Sequence, residues 1–469
     1  MKSLAIAITS LVSLSGAVKL APRENPRVLG LDIQRRHVPD PVEHDQLRRR
    51  AGTVQQTLDN LETLYFANGS LGTPAQNFRL HIDTGSSDLW VNAKNSQLCM
   101  SGGNQCGQSG TYSANDSSTY KYVNSLFNIS YADGSGAAGD YGTDTFRFGG
   151  QNVKDLQFGI GYRSSSAEGI LGIGYAINEA VVGYGGLDPY DNLPVKLQKD
   201  GTIAANAYSL WLNDLDASTG SILFGGVDTD KFHGELHTLP IIPSSGVYAE
   251  FVIALTGMGQ NGQNNSIFTN RNIPVLLDSG SSLMYLPNDI VRTLFTKFNA
   301  RWNANTQAAE VNCNLANQQG SLDFNFSGVL ISVPINELVV TISVSRGQPI
   351  CVLGVAPAGS SISVLGDTFL RSAYVVYDLD NNEISLAQTN FNATSENIQE
   401  IQKGSDGVPN ATGVPNAVST AAVGSAQPRP NGTGAPQSQG AAMPAATANP
   451  WLGGAAAFGA GAMLGFNGF

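Results

Sequence analysis

A four-residue motif that occurs twice constrains this chain more than any other feature. Asp83-Thr84-Gly85-Ser86 returns 195 residues later as Asp278-Ser279-Gly280-Ser281. Each copy follows an apolar, strand-like run, Phe78 to Ile82 and Ile273 to Leu277, the second broken early by Pro274. A second motif keeps step with the first. Gly172 of Ile170-Leu171-Gly172 lies 89 residues after Asp83, and Gly366 of Val364-Leu365-Gly366 lies 88 residues after Asp278. Matched motifs at matched spacing point to duplication and fusion of one lobe. Such a chain can bring two carboxylates together across a pseudo-two-fold axis.

Two carboxyl groups at close range cannot both ionise, so one proton is shared between them. The pair titrates as a unit, and neither Asp83 nor Asp278 is identified as the acid by sequence. One carboxylate can take a proton from water while its protonated partner polarises a substrate carbonyl. Gly85 and Gly280 suit a turn that the backbone must approach closely. Thr84 and Ser279 carry hydroxyls able to cross-link the two loops, and Ser86 and Ser281 can orient the carboxylates. A lone Asp-Thr-Gly is an ordinary turn; the matched pair is not.

With these motifs in place, residues 61–391 resemble the pepsin-like aspartic endopeptidases, with the fungal yapsin and candidapepsin branches nearest in appearance. Leu64-Tyr65-Phe66 and Leu71-Gly72-Thr73-Pro74-Ala75-Gln76 resemble the first strands, and Asp83 through Val91 the first catalytic loop. Tyr131-Ala132-Asp133-Gly134-Ser135 resembles the flap hairpin; Glu168 to Gly174 and Val364 to Arg371 resemble the strands behind the two Asp loops. The resemblance implies an all-β, bilobal fold, two pseudo-two-fold-related lobes with an active-site cleft between them. It implies Asp83 and Asp278 as catalytic dyad, Tyr131 as flap tyrosine and Trp90 as the partner of its hydroxyl. Asp133 stands where many members carry Thr, and in fungal members an acidic residue there accompanies acceptance of Lys or Arg. A carboxylate at the lip of an apolar pocket can pair with a cationic side chain; alternatively Asp133-Gly134 only shapes the hairpin tip. Ser281-Ser282 keeps hydroxyls where Thr is usual.

Short strand-like runs between turn signals fit an all-β chain, for example Ser221 to Phe224 and Tyr374 to Tyr377. The best helix signal covers Asp289 to Trp302, with Ile290, Leu294 and Phe298 at i, i+4, i+8. The reading divides the chain into a signal peptide (1–17), a propeptide (18–50), an N-terminal lobe (51–245) and a C-terminal lobe (246–395). A disordered Ser/Ala/Gly/Pro-rich stalk (396–450) and a hydrophobic tail (451–469) follow. Arg48-Arg49-Arg50 is the expected processing site, with Arg35-Arg36 as an alternative cut. The weakly apolar end reads as a glycolipid-anchor signal, with small residues at Gly440-Ala441-Ala442 or Asn431-Gly432 for attachment, and free secretion as the rival.

Nine basic and five acidic residues lie in 1–50, which leaves 17 basic against 32 acidic, a net charge of about −15. That balance excludes nucleic acid as a partner and fits work in an acidic medium on peptide or protein substrates. Four cysteines allow three pairings; the resemblance implies Cys99–Cys106 and Cys313–Cys351. Their spacing, with five His in the chain, does not form a zinc frame, so no metal and no cofactor is expected. Sequons at Asn68, Asn115, Asn128, Asn264, Asn325, Asn392, Asn410 and Asn431 fit the secretory route. Both halves of the site lie in one chain, so a monomer is expected. Two other readings share some of these features. A pepsin-like binding protein typically lacks an active Asp or the flap tyrosine, and a glycosidase also pairs carboxylates, but nothing besides the pair points to sugar.

Overall fold

The computed structural model describes residues 26–36, 64–101, 105–131, 135–217, 219–304, 306–345 and 347–421. The signal peptide, the Arg48–Arg50 processing site, Asp133, Gly134, Asn431 and the tail 451–469 lie outside them. The first half is built from strands β1 (Leu29–Arg36), β2 (Leu64–Leu71), β3 (Gln76–Asp83) and β4 (Leu89–Asn92). They are followed by β5 (Lys121–Ser130), β6 (Gly136–Phe148), β7 (Gln151–Ser164) and β8 (Gly169–Gly172). Then come β9 (Ala207–Trp211) and β10 (Thr219–Phe224). All join one 14-stranded sheet, which also takes in Ala373–Asp378 and Glu383–Thr389 from the second half. The two lobes therefore share a sheet.

β1, from the expected propeptide, sits between β10 and β2, with Leu29 and Ile33 buried. Its position rests on backbone pairing plus alternate apolar residues, the pattern of a half-buried strand. Between the halves, Tyr175, Phe251 and Tyr377 form an aromatic cluster of tilted and edge-on rings, with centroids 5.2 Å (Tyr175–Phe251) and 4.7 Å (Phe251–Tyr377) apart. Aromatic pairs at such spacing add to simple area burial.

The expected helix spans Asn288–Lys297, and Ile290, Val291 and Leu294 are buried along one face. It ends before Trp302 because Asn299 adopts φ 51°, which stops the helix, and Ala300 N–H donates to Phe295 O at 2.8 Å. Trp302 then starts a new hairpin, Arg301–Asn303 against Ala308–Val311.

The expected stalk begins too early. Ile398–Glu400 pairs antiparallel with Gly226–Asp228, and Ala411–Gly413 runs parallel to Phe232–Pro240. Ile401 and Val408 are buried against Trp211, Val227, Phe232 and Leu236. A segment poor in apolar residues is held here because strand pairing uses backbone groups alone and two side chains meet a waiting apolar patch. Arg27 also donates to Glu400 through Nε at 3.0 Å, tying the two ends of the described chain.

Candidate active site

Both repeated motifs form sharp turns after a buried strand, and the two turns interlock. Thr84 Oγ1 donates to Leu277 O and accepts from Ser279 N–H, both at 3.0 Å. Ser279 Oγ donates to Ile82 O at 3.0 Å and accepts from Thr84 N–H at 3.2 Å. These four bonds obey the pseudo-two-fold relation, and all four are buried. Each carboxylate is oriented by its own loop. Gly85 N–H donates to Asp83 Oδ1 at 2.8 Å and Ser86 Oγ to Oδ2 at 2.5 Å. Gly280 N–H and Ser281 Oγ serve Asp278 in the same way, at 2.8 and 2.7 Å.

The two glycines show how close the loops come. A Cβ added at Gly85 would stand 2.6 Å from Asp278 Oδ1, and one at Gly280 would collide with Asp83 Oδ1. Each loop's glycine thus faces the other loop's carboxylate, and Asp83 and Asp278 are 3% and 7% exposed. Only residues without a side chain fit at these two points.

The second repeated motif supports the turns from behind. β8 runs parallel to β3, pairing Asp83 with Gly172, and Ile173 N–H donates to Asp83 O at 3.0 Å. In the second half Ser363–Leu365 runs parallel to Ile273–Leu277, and Asp278 N–H donates to Leu365 O at 3.2 Å. Side chains at Gly172 or Gly366 would strike the backbone of the loop in front. The repeated Leu-Gly is therefore a packing requirement.

β5 and β6 form the expected hairpin, joined near its tip by Tyr131 N–H donating to Ser135 O at 2.8 Å. Trp90 Nε1 donates to Tyr131 Oη at 2.7 Å. Trp90, Phe127, Ile170 and Val181 pack with Tyr131 into one apolar cluster beside the first loop.

Two interlocked Asp turns, a hairpin tyrosine and a shared sheet are the features by which this chain can be compared with others. The family described as "Eukaryotic aspartyl protease" matches residues 64–389. The chain belongs to that family. A probable aspartic-type endopeptidase opsB of Aspergillus oryzae is 54% identical over 429 residues, covering 89% of this chain and 88% of that protein. The aspartic proteinase yapsin-3 of Saccharomyces cerevisiae is 38% identical over 385 residues, covering 79% and 74%. The crystal structure of an aspartic proteinase from Irpex lacteus superposes with a TM-score of 0.60 at 22% identity, over 79% of this chain and all of that one, and shares the fold.

The protein is thus an aspartic-type endopeptidase with the pepsin-like, predominantly β fold, acting on peptide bonds. Its two disulfides are Cys99–Cys106 and Cys313–Cys351. Of the sequons, Asn325 is engaged on both amide atoms, with Gly328 N–H at 2.7 Å and Asn265 Oδ1 at 3.4 Å, and Asn410 Nδ2 donates to Gly234 O at 3.1 Å. Asn68 and Asn128 lie on β2 and β5, as their sequence context suggests.

Two buried pairs of ionisable groups escaped the sequence reading. Arg371 and Glu337 are both buried; Arg371 Nε donates to Glu337 Oε2 at 2.5 Å and Nη2 to Glu337 O at 2.8 Å. Burial works against the Arg371 charge, and Glu337, together with Tyr65 and Asp367, more than offsets it. Asp88 and Glu179 are the second case. Asp88 lies two residues past the first motif, yet nothing near Glu179 in the sequence marks it as its neighbour 91 residues away.

Proposed function

We propose that Asp83 and Asp278 are the catalytic dyad of this protease and share one proton. The mutual approach of each loop's glycine to the other loop's carboxylate carries the reading. The ionised member takes a proton from a water between them, and the water oxygen bonds to the substrate carbonyl carbon. The protonated member donates its proton to the carbonyl oxygen. On breakdown of the tetrahedral species the C–N bond breaks, the amine takes the proton gained by the first carboxylate, and one hydroxyl of the tetrahedral species returns a proton to the second, which regenerates the shared-proton pair. Ser86 and Ser281 keep the carboxylates oriented, and Thr84 and Ser279 keep the two loops in register.

Tyr131, held by Trp90, closes over substrate. Asp133 and Gly134 contribute to substrate binding, Asp133 as the carboxylate that accepts Lys or Arg on the N-terminal side of the scissile bond. The enzyme works as a monomer in an acidic extracellular setting, after passage through the secretory route and removal of residues up to Arg50. A C-terminal lipid anchor retains it at the cell surface. The acidic surface, the basic leader and the small-residue tail support these statements.

Cleavage of a mixed peptide library from about pH 3 to 7 tests the whole reading. Asp83→Asn and Asp278→Asn should each abolish cutting with folding intact; full activity in either would overturn the dyad. Asp133→Ala should remove cutting after Lys or Arg while cutting between apolar residues persists; an unchanged preference would reduce Asp133 to a turn residue.

A further inference from the structure

A second pair of carboxyl groups lies behind the first active loop. Asp88 is fully buried and Glu179 is 1% exposed. Asp88 Oδ1 accepts from Tyr141 Oη at 2.6 Å and Tyr190 Oη at 2.9 Å, and Oδ2 accepts from Ala180 N–H at 2.8 Å. Glu179 Oε2 accepts from Tyr190 N–H at 2.8 Å, and its Oε1 is buried without a partner. The groups facing the pair are Tyr141 from β6, Tyr190 from the segment before residue 193, and Asp191, whose charge bears on Glu179 and which is itself paired with Lys199 at 2.6 Å. No cation pairs with either carboxyl among the described residues.

Physical chemistry gives such a pair one stable condition. Burial first, then the Asp88 charge, pushes the Glu179 carboxyl up to about 10. Burial pushes Asp88 up as well, against the pull of its two tyrosines and the Ala180 amide. Burial and the neighbouring carboxylate suppress ionisation of Tyr141 and Tyr190, so both remain donors. The orphaned Oε1 is tolerable on a neutral acid and costly on an anion, because an unpaired charge in an apolar interior has no solvent to stabilise it.

The pair is mechanically joined to the active loop. Asp88 ends the turn that Asp83 begins, and its carbonyl accepts from Gly172 N–H at 3.1 Å. Ser87 Oγ donates to Tyr175 O at 2.7 Å, and Ala180 and Val181, next to Glu179, belong to the apolar cluster around Trp90 and Tyr131. We propose that Asp88 and Glu179 form a proton-holding positioning pair for the Asp83 loop, and that its ionisation sets the upper pH limit of the enzyme's fold and activity. The inference rests on Asp83 being catalytic.

The sign follows from linkage. Glu179 holds a proton in the folded state that the unfolded chain releases above the ordinary carboxyl range, near 4. The contribution is complete below that range and is lost as pH rises toward the folded value, through neutrality. Glu179→Gln removes that titration. Tyr190→Phe removes a bond that favours ionised Asp88, so it should deepen the loss.

Melting temperature and kcat/KM on one peptide, followed from pH 4 to 8 on the processed enzyme, test this. Glu179→Gln should at least halve the fall in melting temperature between pH 4 and 7.5 and move the half-activity pH up by about one unit. Tyr190→Phe should move it down, and Glu179→Asp should retain the parent's profile. Identical pH dependence in parent and Glu179→Gln, or shifts of the same sign in Glu179→Gln and Tyr190→Phe, would overturn the pair. If Glu179→Gln does not fold, Tyr190→Phe decides alone, since an unmoved profile there refutes it. Asp83→Asn separates the two readings: it should abolish activity while the melting temperature still falls between pH 4 and 7.5.

Discussion

Replacing Thr84 with Val keeps the shape of the side chain and removes only its hydroxyl. That hydroxyl makes two bonds across the two halves, to Leu277 O and from Ser279 N–H, in a position 2% exposed. Without it one carbonyl and one amide are left buried and unpaired, and each such group costs about 1–3 kcal/mol. The expected loss is therefore about 2–6 kcal/mol, large beside the stability of a typical folded protein. The same bonds set the distance between the carboxylates, and displacement of reacting groups by about 1 Å can cost about 100-fold in rate. Denaturant unfolding by tryptophan fluorescence reads the first quantity and kcat on a peptide reads the second. Thr84→Val and Ser279→Ala belong to one network, so the double variant should lose less than the sum of the singles. A stability change below about 0.5 kcal/mol with kcat within twofold would refute the claim that this cross-link holds the site. Strict additivity would show that the four bonds do not act together.

Gly280→Ala places a methyl group against Asp83 Oδ1 and should abolish peptide cleavage, measured by kcat/KM, while secretion and disulfide formation persist. Trp90→Phe removes the donor to Tyr131 Oη and should lower kcat/KM about tenfold, or about 1.4 kcal/mol; adding Tyr131→Phe should bring little further loss. Glu337→Ala leaves Arg371 buried and unpaired and should cost about 3–5 kcal/mol in denaturant unfolding. Deleting residues 398–421 uncovers the patch under Ile401 and Val408 and should cost about 3–6 kcal/mol, seen as a lower unfolding midpoint.

The dyad loops were legible because their chemistry is local. A turn that presents a carboxylate and lets another loop approach needs Asp, a small hydroxyl residue and Gly in sequence, and the chain carries that requirement twice. β3 and Ile273–Leu277 were legible for a similar reason, as apolar runs that end at the turn. The helix was recognised by its period but not its length, since the residue that stops it, Asn299, acts through a backbone conformation that Asn only permits. The 398–421 segment was misjudged because composition counts what a segment brings to a core. Its place depends on Trp211, Val227, Phe232 and Leu236, which lie more than 160 residues earlier.

What the sequence by itself determined is the repeated Asp motif, the matched spacing behind it and the family. These rest on residue types at short spacing, where covalent geometry and side-chain chemistry leave little choice. Only the tertiary structure decided that β1 enters the shared sheet, that the chain's late segment returns to cover an apolar patch, and that Asp88 and Glu179 meet without a cation. Those outcomes depend on which distant groups exclude water from which others, and burial is a property of the assembled fold rather than of any stretch of chain.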